Sequence, residues 1–197
     1  SIIVFRRLYQ LVLSWAEHPK ASRYLVALSF AESSFFPIPP DVMLAPMCLA
    51  QRARAFYFAL LTTVASVAGG IFGYFIGMYS FELVEPLLAA LHYQGKFDLV
   101  KHWFVEWGFW AILIAGFSPI PYKLFTIAAG LLGMFFLPFV LASIVGRGAR
   151  FFLVAFLVSL GGDGLRDKLE VYVERIGWGL TLLIVLVLII YKFSSAG

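Results

Sequence analysis

An all-α polytopic membrane protein, an inverted repeat of two opposed re-entrant helical hairpins plus transmembrane helices, is the fold class this sequence predicts. Three observations carry it. Of 197 residues, 62% are hydrophobic and 13% charged, with a mean hydropathy of +0.92. A soluble domain carries about 25% charged residues to keep its surface in water, so lipid is the expected solvent here. Residues Ala55 to Phe81 hold no charge, a run long enough to cross the roughly 30 Å hydrocarbon layer as a helix. Third, one short motif occurs twice inside apolar stretches, as Pro37-Ile38-Pro39-Pro40-Asp41 and as Pro119-Ile120-Pro121-Tyr122-Lys123. Alternating prolines lack the N–H a helix needs and disfavour helical geometry in the residue before them. Each stretch therefore breaks mid-run, the pattern of transporter sites formed where two repeats meet near the bilayer midplane.

The chain reads as a single membrane domain over residues 1–197. Residues 1–20 form an amphipathic surface helix, because Arg6 and Arg7 stand among apolar and aromatic residues; no secretory cleavage signal is visible there. The first repeat, 24–80, opens with hairpin arms from about Tyr24 to Phe36 and from Asp41 to about Ala50. Each arm is too short to span. The tip is Pro37, Pro39 and Pro40, and Ala55 to Ser80 then crosses. Gly69, Gly73 and Gly77 recur on one face of that span, which permits close helix packing. An amphipathic connector, 81–107, leads to the second repeat, 108–160. That repeat descends from Gly108 to Phe117, turns at Pro119 and Pro121, returns from Lys123 to about Phe136, and crosses from about Pro138 to Leu160. Residues 161–197 are read as a cytoplasmic loop and a C-terminal span from Trp178 to Tyr191. One span separates the hairpins, so they enter from opposite sides.

Charge supports this layout. Arg6, Arg7, Lys20, Arg23, Arg52, Arg54, Arg166, Lys168 and Arg175 fall on one side, against Lys96, Lys101 and Lys192 on the other. The side richer in Lys and Arg is cytoplasmic. The basic balance points to anionic lipid headgroups and away from nucleic acid, since the cations form no dense tract. Cys48 stands alone, and His18, His92 and His102 lack metal-site spacing. The sequence calls for no cofactor and no metal.

Five charges remain inside the membrane: Glu32, Asp41, Lys123, Arg147 and Arg150. An ionisable group at mid-bilayer costs at least about 2.5–3.5 kcal/mol on insertion scales, so these are the candidate site. Asp41 begins the returning arm of the first hairpin, and Lys123 is expected at the equivalent place in the second. Arg147 and Arg150, three residues apart, share a helix face. Gly146 and Gly148 beside them admit a backbone or a ligand. In the functional reading Lys123, Arg147 and Arg150 hold an anionic headgroup, most simply a phosphate. Glu32 and Asp41 carry protons, because low dielectric favours the neutral carboxyl. The alternative is that acids and bases neutralise one another as buried ion pairs, with Arg150 free to snorkel toward the surface. No nucleophile or metal cluster favours an enzyme.

The run from Gly108-Phe109 through Gly116-Phe117-Ser118-Pro119-Ile120-Pro121-Tyr122-Lys123 to Ala129-Gly130, and Glu32 followed by Phe36 to Asp41, resemble the DedA family of VTT-domain, SNARE-associated membrane proteins. The YqaA-like branch is the nearest in pattern, and the likeness covers roughly Tyr24 to Leu160. It implies two opposed re-entrant hairpins in a multi-pass protein of the bacterial inner membrane. It also implies lipid movement across the bilayer, with undecaprenyl phosphate or a phospholipid as cargo and protons as coupling ion. The family's acidic residues correspond to Glu32 and Asp41, and a family arginine to Lys123. Phe117 stands where many members have a further arginine. The expected partners are membrane lipids and protons, with self-association left open, and the rival readings are a non-transporting scaffold or assembly factor and, behind it, a membrane enzyme acting on lipid phosphates.

Overall fold

Where backbone N–H and C=O groups have no water to bond, an apolar chain satisfies them within its own segments, and helices are the simplest solution. The computed structural model describes residues 2–34, 38–118, 121–160 and 166–195, and every regular element in them is helical. In chain order these are α1 (Ile2–Ala16), α2 (Ala21–Ser34), α3 (Asp41–Ala50), α4 (Ala55–Ala90), α5 (Gln94–Phe117), α6 (Tyr122–Leu131), α7 (Phe136–Leu160) and α8 (Arg166–Ser195), with a 3₁₀ turn at Arg52–Arg54 before α4.

Both proline motifs start a helix. Pro40, at φ −65°, precedes the first residue of α3, and Pro121, at φ −61°, precedes the first residue of α6; a ring-fixed φ suits a helix entrance, where the missing N–H is not needed. Pro39 offers its carbonyl to Val42 N. Pro37 and Pro119 lie outside the described residues, as does the loop at 161–165. Leu124 N bonds to the Pro121 carbonyl as Val42 N does to that of Pro39, so Asp41 and Lys123 each lie two residues past the proline that accepts the first bond.

The 81–107 stretch is not a separate element. It is the end of α4 and the start of α5, joined at 91–93 and packed through Phe81 and Phe97. The reason is local: His92 takes a positive φ of 58°, letting its own N–H and that of Tyr93 bond back to Ala89 and Leu88 and close α4. The descending arm of the second pair is thus the last part of a 24-residue helix rather than an isolated short one.

Among the described residues two helices are long and apolar enough to cross a membrane, α4 with its leading turn (Arg52–Ala90) and α7 (Phe136–Leu160). The third expected span falls inside α8, whose described apolar stretch, Thr181–Ser195, is shorter. Along α4 the residues Phe56, Leu60, Val64, Phe72, Ile76, Tyr79 and Leu83 are exposed, and α7 likewise exposes Leu137, Leu141, Ile144 and Val145. Such continuous apolar stripes are what a lipid-facing surface carries.

α4 and α7 run antiparallel, with Tyr74 stacked on Phe139 and Phe56 on Phe152. The start of α2 lies beside the start of α4, and its end reaches Ser66 and Gly69, midway along α4. From there α6 takes over, with Tyr122 against Gly70, Thr126 against Gly73 and Ile127 against Gly77. A Cβ on Gly77 or Gly130 would strike the backbone of the other helix, so the glycine face of α4 carries the α6 contact, as its spacing predicts. The end of α5 meets α7 at Gly146 and Arg147, and Asp41 at the head of α3 meets Arg150. Four helix ends therefore converge between the midpoints of α4 and α7. An apolar cluster around Leu25, Met43, Phe58 and Phe151 packs on one side of this junction, and another around Tyr74, Ile112, Met134 and Phe139 on the other.

Candidate functional site

Between the two apolar clusters lies a polar layer. Ser29, Ser33, Thr62, Ser66, Ser118, Thr126, Ser143 and Arg147 are all buried there. Small hydroxyl residues fit a helix interior because each can bond within its own or a neighbouring helix. Ser29 donates to the Leu25 carbonyl at 2.6 Å, and Thr62 to Phe58 at 2.7 Å.

Arg147 is the centre of the layer. It is the twelfth residue of α7, as Ser66 is of α4, and its Nε donates to Ser66 Oγ at 2.6 Å. Its Nη2 donates to Glu32 Oε2 at 2.7 Å and to Ser33 Oγ at 3.3 Å. Ser33 and Ser66 share a further bond at 2.6 Å, which links α2 to α4 beneath the guanidinium. The cation also lies 4.7 Å from the Tyr122 ring and 4.8 Å from that of Phe151, a desolvated cation–π arrangement. Tyr122 OH in turn donates to Ser143 Oγ at 2.6 Å. A buried arginine needs this many partners, since each N–H left without one costs the full desolvation of a charged donor.

Arg150, one turn on, ties the two proline-broken regions together. Its Nε and Nη2 donate to the same oxygen of Asp41, Oδ2, at 3.2 and 2.5 Å. Its Nη1 donates to the carbonyls of Phe117 and Ser118, at 3.2 and 3.0 Å, where α5 ends. A cation on the last carbonyls of one helix and a carboxylate in the first turn of another both suit the helix dipoles. The snorkelling alternative for Arg150 is not what the structure shows: it is held inward by these contacts. Two buried atoms beside it, Asp41 Oδ1 and Ser118 Oγ, have no hydrogen-bond partner among the described residues.

Of the five charges expected within the membrane, four are joined as two pairs, Glu32 with Arg147 and Asp41 with Arg150. Lys123 is half-buried in the first turn of α6, next to Tyr122. The Tyr122 ring, beside it, lies under the Arg147 guanidinium. Gly146 serves a backbone and not a ligand, because a Cβ there would lie 2.5 Å from the Leu113 carbonyl. Sequence reasoning passed over Ser33, Ser66, Ser118 and Ser143. Their signal was present as hydroxyls recurring in otherwise apolar runs, but hydroxyls are common enough in such helices that burial had to single these out.

A family model for the VTT domain matches residues 38–160, which runs from the first proline-broken region to the end of α7. The chain belongs to the VTT domain family. This is the domain of the DedA proteins and is membrane-associated. The VTT match contains Asp41, Lys123, Arg147 and Arg150 and begins six residues after Glu32. An uncharacterized protein of Haemophilus influenzae is 43% identical over 96% of this chain and 98% of its own length. One of Histophilus somni is 42% identical over 96% and 99%. A protein of Methanocaldococcus jannaschii, also described as uncharacterized, is 25% identical over 62% of this chain and 74% of its own. No solved structure matches.

Proposed function

We propose that this VTT-domain protein is a multi-pass inner-membrane carrier that moves a phosphate-bearing lipid across the bilayer, with Glu32 and Asp41 as the proton-coupled groups. It is a flippase or scramblase rather than an enzyme, and undecaprenyl phosphate and phospholipids are its candidate cargoes. In this reading α2–α3 and the end of α5 with α6 are two re-entrant hairpins that enter from opposite faces. The antiparallel α4 and α7, each flanked by one hairpin arm along either half, support an inverted repeat. So does the matching position of Ser66 and Arg147.

The observation that carries the reading is the pairing of both arginines with titratable acids at the junction of four helix ends. A proton on Asp41 removes the charge that holds Arg150. The guanidinium then offers its planar donors to a phosphate, and Ser118 Oγ, without a partner among the described residues, adds a hydroxyl donor. The headgroup crosses through this polar layer while its chains stay in lipid. Release of the headgroup and loss of the proton restore the pair.

The test is flipping of fluorescent lipids in proteoliposomes, with and without a pH gradient. Glu32→Gln, Asp41→Asn and Arg147→Ala are expected to slow it at least about tenfold. Rates equal to those of the unmodified protein would overturn the roles assigned. The paired state itself favours a second reading, a non-transporting scaffold braced by two ion pairs. That reading expects the same variants to lose thermal stability with no lipid movement in any of them.

A further inference from the structure

A second cavity, of about 910 Å³, opens far from the paired charges, between the turn from α1 to α2, the last turn of α3 and the start of α4. Its polar lining includes Glu17, His18, Gln51 and Arg54. Arg54 is held in place: its Nη1 donates to Gln51 Oε1 at 3.2 Å, and its guanidinium lies 5.1 Å from the Tyr57 ring and 5.0 Å from Phe58. His18 is held too. Its Nδ1 accepts the backbone N–H of Lys20 at 3.0 Å, and its ring stands edge-on to Tyr24 at 4.9 Å. With Nδ1 accepting, the neutral ring carries its proton on Nε2 and is a donor there.

A fixed cation and a fixed N–H donor suit an anion, and their immobility lowers the ordering cost of binding one. Glu17 is the one acid among the lining residues, and Lys20, Arg23 and Arg52 are exposed close by in sequence. The neighbouring elements say what kind of anion. Ile3, Val4 and Leu11 of α1, and Phe56, Tyr57 and Leu60 of α4, are exposed apolar residues. A polar cavity bordered by elements that expose apolar side chains matches a headgroup with its chains attached.

We propose that this cavity binds the phosphate of an anionic phospholipid, with Arg54 and His18 Nε2–H as its donors, and that the bound lipid braces the base of α2 and α3 against α4. The site is separate from the transport junction and does not depend on it.

The experiment is native mass spectrometry of the full chain in detergent, titrated in turn with dioleoyl phosphatidylglycerol, dioleoyl phosphatidylcholine and inorganic phosphate. One basic residue at a membrane surface implies about a fivefold preference for phosphatidylglycerol over phosphatidylcholine. Arg54→Gln is expected to abolish the preference, and Glu17→Gln, which removes the like charge, to raise it. Lys96→Gln, an exposed base beyond the far end of α4, is expected to leave it unchanged. Equal binding of the two lipids, or a preference that survives Arg54→Gln, overturns the proposal. A preference lost in Arg150→Gln but kept in Arg54→Gln would place the lipid at the junction and overturn it as well. Displacement of phosphatidylglycerol by millimolar inorganic phosphate would reassign the cavity to the free ion. Should Arg54→Gln not fold, an unchanged or weaker preference in Glu17→Gln is enough to reject the site.

Discussion

Arg147 donates from Nε to Ser66 and from Nη2 to Glu32 and Ser33, and its cationic face is covered by Tyr122 and Phe151. Removing one member of such a buried pair leaves the other charged and unpaired. We expect Arg147→Ala to cost about 3–5 kcal/mol in thermal unfolding in detergent. Arg147→Met combined with Glu32→Gln should recover much of that loss, because no charge is then left behind; a double variant as unstable as the single one would show that the loss lies elsewhere. Ser118 tests the opposite case. Its Oγ is buried with no partner in the described structure, so Ser118→Ala should leave stability unchanged or raise it by up to about 1 kcal/mol, as an unsatisfied buried hydroxyl is removed, while slowing lipid flipping severalfold. A stable variant with an unaltered rate would remove Ser118 from the headgroup path. At this scale the charges are legible in the sequence, since ionisable residues in apolar runs stand out by type alone. It did not reveal who pairs with whom: Glu32 and Arg147 are joined across the fold, and nothing local encodes that contact.

Among the elements, α3 and α6 were legible from their proline entrances, and the two long helices from their charge-free or nearly charge-free runs. The glycine spacing of α4 also carried over into contact. A Cβ at Gly130 would meet the Tyr74 carbonyl and one at Gly77 the Ile127 carbonyl, whereas one at Gly148 would sit 3.6 Å from the Thr63 methyl, an ordinary contact. Gly130→Ala is accordingly expected to destabilise by about 1–3 kcal/mol as α4 and α6 are forced apart. Gly148→Ala should be neutral or stabilising by up to about 1 kcal/mol through helix propensity. Comparable losses in both would mean that the contact does not set the cost. The helical form of the connector was the feature least legible in the sequence. Its polar, aromatic composition has no span-like signal, yet it is helical because α4 and α5 extend into it from either end and a single αL residue suffices to turn the chain between them.

For the whole molecule, opposed hairpins make a prediction about sides. Single cysteines at Arg52 and His92, at opposite ends of α4, should be labelled by an impermeant maleimide from opposite faces of intact vesicles; native Cys48 is buried and provides a low background. Labelling of both from one face would refute the inverted arrangement. Composition by itself determined that the chain is helical and lipid-compatible, and the two proline motifs determined where apolar runs must break, because both follow from the chemistry of single residues and short stretches. Only the tertiary structure decided that the arginines are held by acids and that a hydroxyl layer separates two apolar clusters. Those facts depend on helices distant in sequence meeting halfway along α4 and α7, and a meeting of that kind is set by packing across the fold, which no local pattern records.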